Sequence, residues 1–392
     1  MLQLSPFECR ISDAAIADLH QRLENARMAP TLTDDSATAD FGISQAQLLQ
    51  ICSYWKKGFD WRAFENRINK LPMFTAPVNG HTIHFVYAKS PRPDAKPLML
   101  THGWPGSFME FQSMVEPLSN PETPATPAFH VICPSIPGFG FSPNPTSVKK
   151  LTVQFVAGLF VDLMRGLGYN QFFAQGGDWG SMITRGMAIY HPKNCVAIHL
   201  NLAMADLPTA WSYLPQRILF KANPSFILSD QEMKGLQASH MFWTYGTGYY
   251  KQQGTKPYTL GVGLNDSPMG LLAWIGEKFN WAEAGVDPDI LLGFVSLFWF
   301  TQSITSSFRL YKDNYDAFKY ATKEYVATPT GVAIFKDISQ PPEAWLKYVY
   351  NLKHYRRMPR GGHFAALEEP ILLLDDLRLF FGKQELHKLC KL

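Results

Sequence analysis

Gln175-Gly176-Gly177-Asp178-Trp179-Gly180-Ser181 decides how the rest of this chain is read. The stretch follows a short run, Gln171-Phe172-Phe173-Ala174, and opens a helical segment, Met182-Ile183-Thr184-Arg185-Gly186-Met187-Ala188. Small residues flanking a central side chain are what a sharp strand-to-helix turn requires, because anything larger clashes with neighbouring backbone. The residue at the tip is pushed out at the sheet edge, beside the positive N-terminus of the helix. Here it is Asp178. A serine in that place needs a base to take its proton before it attacks a carbonyl. A carboxylate, with an ordinary pKa of about 3.9, is already ionised at neutral pH and attacks saturated carbon directly, leaving an ester on the protein. Taken alone, an Asp at a helix start reads more simply as a cap. The flanking glycines and two further segments decide for the nucleophile.

The first of these, Thr101-His102-Gly103-Trp104-Pro105-Gly106-Ser107, closes the apolar run Pro97-Leu98-Met99-Leu100-Thr101. A strand ending in His-Gly brings backbone N–H groups over the same sheet edge, so the oxyanion donors are assigned to the main-chain N–H groups of Trp104 and Trp179. His102, beside that loop, reads as structural. Ser135-Ile136-Pro137-Gly138-Phe139-Gly140-Phe141-Ser142 is a Pro/Gly turn that shapes the floor of the site. The second segment, Arg360-Gly361-Gly362-His363-Phe364-Ala365-Ala366-Leu367-Glu368-Glu369-Pro370, sets a histidine on a glycine loop before the last helix, where the base of such a site arrives. The chain order nucleophile, acid, histidine then calls for an acid at a strand end. Asp337, after Val332-Ala333-Ile334-Phe335-Lys336, fits, with Asp206 as competitor; the acid fixes the imidazole's tautomer and orientation. Glu368-Glu369 and Asp375-Asp376 read as solvated helix faces.

Composition agrees with a large enclosed core. Of 392 residues, 46% are hydrophobic and only 18% charged, against about 25% charged in average soluble proteins, which excludes disorder and coiled coil. The net charge is +3, from 36 basic and 33 acidic residues. No basic stripe accompanies it: Lys149-Lys150 and the Arg356-Arg357…Arg360 cluster read as solvated loops, so nucleic acid is not an expected partner. Cys9, Cys52, Cys133, Cys195 and Cys390 are odd in number, scattered and free of any C-x-x-C, which points to a reducing compartment. The segment Ile290–Phe308 lacks charge, but its second half is polar, so it is expected as a buried helix, not a membrane span. The expectation is a soluble, cytoplasmic protein. No metal site is expected, since His81 and His84 fall on opposite faces of a presumed strand. No cofactor is expected either: Gly138-Phe139-Gly140, Gly246-Thr247-Gly248 and Gly261-Val262-Gly263 all lack the third glycine of a dinucleotide loop.

Residues 1–90 read as a preamble of helices at 16–23, 45–55 and 61–69, then a hairpin at Asn79-Gly80 and a strand at 83–87. From 91 to 204 apolar runs at 97–101, 129–133, 171–174 and 195–200 alternate with helical segments, as a mostly parallel sheet requires. Residues 205–325 are helices and loops rich in aromatics. The sheet pattern returns in 326–392, with a strand at 331–335 and a helix at 370–381. The simplest organisation is an α/β sheet split by a helical cap over the carboxyl ends of its strands.

With these segments in hand, the sequence resembles the epoxide hydrolases of the microsomal and fungal type in the α/β-hydrolase superfamily. The matching pieces are Phe59-Asp60-Trp61-Arg62, His102–Ser107, Gly176–Ser181 and Gly361–Glu368. The likeness covers nearly the whole chain, including the N-terminal segment that wraps the core in that family. The anchor helix of membrane-bound members is expected to be missing here. The resemblance implies the α/β-hydrolase fold and two cap tyrosines that hydrogen-bond the epoxide oxygen. Tyr249, in Gly248-Tyr249-Tyr250-Lys251, fits the first, with Tyr250 as rival; Tyr311, in Phe308-Arg309-Leu310-Tyr311-Lys312, fits the second. A phenol of pKa about 10 is a suitable acid to meet a developing alkoxide. Trp104, Phe108, Trp179, Trp274 and Trp299 are candidate walls of an apolar pocket. The implied activity is cofactor-independent conversion of an apolar epoxide to a vicinal diol through an ester on Asp178. The alternatives are a haloalkane dehalogenase with the same Asp nucleophile and a binding protein with a dead site. The natural epoxide, a detoxifying or biosynthetic role, and assembly as a homodimer are left open.

Overall fold

Four apolar runs, each buried along its length, become neighbouring strands in the computed structural model, which describes residues 1–30, 41–210, 213–280, 282–283 and 285–390. They are β4 (Lys96–Thr101), β5 (Phe129–Pro134), β6 (Phe172–Gly176) and β7 (Cys195–Leu200). Before them lie β1 (Ser5–Pro6), β2 (Met73–Val78) and β3 (His81–Ala88); after them come β8 (Val326–Ile334) and β9 (Tyr350–Arg357). The sheet runs β1-β2-β3-β5-β4-β6-β7-β8-β9, antiparallel through β3–β5 and parallel from β5 to β9. The β2–β3 turn falls on Asn79 and Gly80, both at positive φ, as a tight hairpin demands. Thr101 pairs with Gly176, and Gly176 with Leu200. Three strands thus end at one level, and the loops that follow them start side by side.

Between β7 and β8 the described residues hold helices and no strand, among them Gly248–Thr255, Pro257–Asp266, Pro268–Phe279 and Pro288–Thr301. The uncharged segment is buried, as expected, but it is broken: Gln302 adopts φ 51°, and the chain turns by 98° into the next helical stretch. No described helix is long and apolar enough to cross a membrane. The N-terminal helices Asp13–Glu24 and Gln45–Lys57, each opened by a serine cap, pack against this helical insertion. Arg22 pairs with Asp266 at 3.1 Å, Gln47 donates to Asn280 at 3.2 Å, and the Tyr54 hydroxyl donates to Asp289 at 2.7 Å.

Strand β9 was not expected, and Arg356-Arg357 lie at its end, not in a solvated loop. As the last strand of the sheet, Tyr-Asn-Leu-Lys-His-Tyr-Arg-Arg carries the charges that protect an edge, and these erase the apolar signature of a strand. One of them, the exposed Arg356, reaches Asp376, which is buried and does not lie on the solvated helix face expected of it. The fully buried Asp376 accepts from His199 Nε2 and His354 Nε2, both at 2.9 Å, and from Arg356 Nη1 at 3.2 Å. Burial pushes its pKa up, but the two imidazole hydrogen bonds outweigh that and hold the carboxyl well below the usual range. Because the folded carboxyl titrates below the unfolded one, its contribution is present above about pH 4 and is lost as the pH falls further. Asp376→Ala, which strands these donors, is expected to cost about 3–5 kcal/mol at neutral pH. A denaturant midpoint equal to that of the wild type would show that the cluster contributes nothing.

Candidate active site

The chain passes from β6 to the helix Asp178–Tyr190 at Asp178 itself, which sits at φ 47°. The turn is tight enough that a Cβ on Gly176 would run into the Gly180 carbonyl, and one on Gly180 into the Thr101 carbonyl. These two positions admit only glycine. The positive φ at a non-glycine residue is strain of order 1–3 kcal/mol, held because the surrounding contacts fix it. Trp104 N–H donates to Asp178 Oδ1 at 2.7 Å, and Trp179 N–H also donates to the carboxylate. Burial raises the pKa of Asp178 above its ordinary value, with His363 and the two N–H groups offsetting part of that rise.

His363 comes from the loop after β9. Its Nδ1 lies 2.6 Å from Asp337 Oδ1 and its Nε2 3.6 Å from Asp178 Oδ2. Asp337 follows β8 in the chain, and its Oδ1 also accepts from Ile338 N–H at 2.5 Å. Asp206 is exposed and takes the Thr322 hydroxyl at 2.7 Å; the structure does not bring it to the imidazole. Burial pushes the His363 pKa down, but the carboxylates of Asp337, Asp178 and Glu110 outweigh it and bring it up to about 9. The histidine loop is pinned from a residue that sequence reading left on a solvated face. Glu368 accepts from the N–H groups of Gly362 at 2.8 Å, Phe364 at 2.9 Å and Glu283 at 2.7 Å.

Both tyrosines pack on the tryptophans whose N–H groups donate to Asp178. The Tyr249 ring stacks on Trp104 with centroids 5.6 Å apart, and Tyr311 meets Trp104 edge-on at 5.6 Å and Trp179 at 5.0 Å. The two phenol rings are 6.0 Å apart. The Tyr311 hydroxyl is buried beside the Trp179 and Tyr249 side chains, and hydrogen bonding from Trp179 offsets part of the rise in its pKa. Tyr250 differs: its hydroxyl donates to the Tyr315 carbonyl at 2.6 Å and is already committed. Burial raises both Tyr249 and Tyr311 well above the ordinary phenol value, and the Asp178 charge adds to the rise. Lys278 Nζ sits 4.5 Å over the Tyr249 ring.

A small cavity beside the elbow is lined by Trp104, Glu110, Asp178, Asn201 and His363, among others. The space open to the centre of a water molecule is about 10 Å³, enough for about one water. Asn201 follows β7 and accepts from Gln175 Nε2 at 2.7 Å; neither it nor Glu110 was read from the sequence. Trp104 and Trp179 do lie at this centre. Phe108 does not: it packs behind the loop against His84, with centroids 4.8 Å apart. Trp299 lines a separate outer cavity with Arg22 and Tyr258. Trp274 bonds Gln253 at 2.9 Å, on the helix that carries Tyr249. His102 has a buried ring that accepts from Ile136 N–H at 3.2 Å, and burial lowers its pKa to about 4, as befits a structural residue.

Comparison with known proteins agrees with this architecture. Residues 4–111 match the family described as epoxide hydrolase N terminus, and residues 96–370 match the alpha/beta hydrolase fold. The chain is 39% identical to epoxide hydrolase 1 of Sus scrofa, over 97% of this chain and 89% of that one. It superposes on the Aspergillus niger epoxide hydrolase with a TM-score of 0.88 at 35% identity, covering 97% of this chain and 96% of the other. With the juvenile hormone epoxide hydrolase of Bombyx mori the TM-score is 0.89 at 31% identity, over 100% and 96%. An aspartate-tipped elbow, a histidine poised beside it and likeness along almost the full length lead to one statement: the chain belongs to the epoxide hydrolase family of the α/β-hydrolase fold.

Proposed function

We propose that the protein hydrolyses an apolar epoxide to a vicinal diol in two covalent steps at Asp178. The observation that carries this is the placement of one carboxylate between two N–H donors, a histidine at 3.6 Å and two buried phenols that both pack on Trp104. In the first step an Asp178 oxygen bonds to an epoxide carbon, that carbon's bond to oxygen breaks, and a phenol proton from Tyr249 or Tyr311 passes to the departing oxygen. The phenols favour this over dehalogenation, because an alkoxide needs a proton donor and a halide ion does not. Their raised pKa values keep the proton in place until the alkoxide forms.

Esterification removes the Asp178 charge, which is one of the causes holding the His363 pKa high. The imidazole therefore becomes easier to deprotonate when a base is needed. In the second step neutral His363, oriented by Asp337, takes a proton from water as the water oxygen attacks the ester carbonyl. The Trp104 and Trp179 N–H groups hold the oxyanion, the ester bond to the diol oxygen breaks, and that oxygen takes the proton from His363. The acid proton left on Asp178 returns to the phenolate. Nucleophile, base and acids are all side chains, so the cycle uses no cofactor. Aromatic rings around the carboxylate support an apolar substrate, and five buried, unpaired cysteines support a cytoplasmic location.

A single turnover with enzyme in excess, run in heavy-oxygen water, tests the covalent route. The first diol should be unlabelled and the label should reside in the Asp178 carboxylate. Label in the first diol would mean direct attack by water and would sink the ester.

A further inference from the structure

Glu110 stands in the turn Phe108–Phe111 and has no part in the scheme above. It is the lone charge in the stretch Phe108-Met109-Glu110-Phe111, whose other residues are buried. Its side chain does not leave the protein. A Cβ on Gly106 would fall on Glu110 Oε1, so the glycine at 106 makes room for the carboxyl against the Trp104 loop. There the carboxyl accepts from the Ser107 backbone N–H. Glu110 also lines the water-sized cavity that Asp178, His363 and Asn201 share, and the Tyr249 and Tyr311 phenols lie outside that lining. A second carboxyl thus faces the nucleophile and the base across a space that fits one water. Burial, more than the opposed influences of His363 and Asp178, pushes it up to about 8.

We propose that Glu110 is a positioning residue for ester hydrolysis: the attacking water occupies this cavity, one hydrogen directed to His363 Nε2 and the other to the Glu110 carboxyl. So held, its lone pair faces the Asp178 ester carbonyl. His363 takes the first hydrogen as the oxygen–carbon bond forms; Glu110 keeps its hydrogen bond and exchanges no proton. The inference rests on Asp178 being the nucleophile. Protonated or not, Glu110 turns toward the cavity an oxygen that can accept, which is all the role requires. Glu110→Gln keeps the size of the side chain. Its amide oxygen must stay on the Ser107 N–H, which leaves the NH₂, a donor only, facing the water.

Rapid-quench kinetics on the full-length enzyme, with intact-protein mass to count the ester and styrene oxide as probe, separate the two steps. For Glu110→Gln, hydrolysis should slow by about ten- to a hundredfold, the range for a lost orienting hydrogen bond to a reactant. Ester formation should stay within about threefold of the wild type, a split that a merely structural lesion does not produce. Ester should accumulate in Glu110→Gln as it does in His363→Gln. If it accumulates in His363→Gln while Glu110→Gln keeps wild-type hydrolysis, or loses both steps together, the proposal for Glu110 is overturned and the nucleophile stands. If neither variant forms an ester, the nucleophile and the proposal fall together.

Discussion

Asp178→Ala is expected to lower kcat/KM for an epoxide by about 10⁴-fold or more, as removal of a covalent nucleophile does elsewhere. What remains is water attack helped by the Trp104 and Trp179 N–H groups and the two phenols. The variant should nevertheless fold at least as well as the parent. The carboxylate is buried, its pKa is raised by that burial, and it sits at the strained φ of 47°. Nucleophiles held this way are destabilising in the resting protein. Activity and thermal midpoint measured on the same sample check both halves. Turnover within tenfold of the wild type would place the reacting carboxylate elsewhere.

His363→Gln should produce the second large effect, of a different kind. The Asp178 carboxylate remains, so ester formation should proceed. Without an imidazole to take the water proton, hydrolysis should fall by about 10⁴-fold. One equivalent of epoxide should therefore remain on the protein, visible as a mass increase that maps to Asp178. Glutamine cannot carry the charge that Asp337 stabilises. Asp337 is then left as a buried carboxylate whose Oδ2 has no partner among the described residues. Some loss of stability is thus expected, and ester formation is the readout that separates it from the catalytic defect. Steady turnover with no trapped ester would argue for another base.

How much of this was legible in the sequence depends on whether a signal is local. Strands β4 to β7 could be read because burial on both faces leaves continuous apolar runs. The elbow could be read because its geometry admits only glycine at 176 and 180, so the backbone constraint is written in the residues themselves. Strand β9 lacks the apolar signal because it closes the edge of the sheet, and its Arg356 is spent on Asp376. Glu368 looked like any charge on a helix end, yet it holds two backbone N–H groups of the histidine loop and a third, of Glu283, from the helical insertion. Asn201 and Glu110 join the site because β4, β6 and β7 end at one level, a fact of register that no single segment contains. The aromatic walls show the limit in reverse: Phe108 and Trp299 have the right chemistry, but neighbours distant in sequence decided which way they face. Glu110 did leave a local trace, a charge placed between buried aromatics, where solvation alone gives no reason for it.

The helical insertion that carries both phenols is fastened on its outer side to the first sixty residues, through Arg22, Gln47 and Tyr54. The position of Tyr249 and Tyr311 relative to Asp178 is therefore set partly by a seam of contacts on the far side of the insertion. Small changes along that seam can tilt the phenols toward one carbon of a three-membered ring or the other. Substitutions along that seam are therefore expected to shift which ring carbon is attacked without altering any residue beside Asp178.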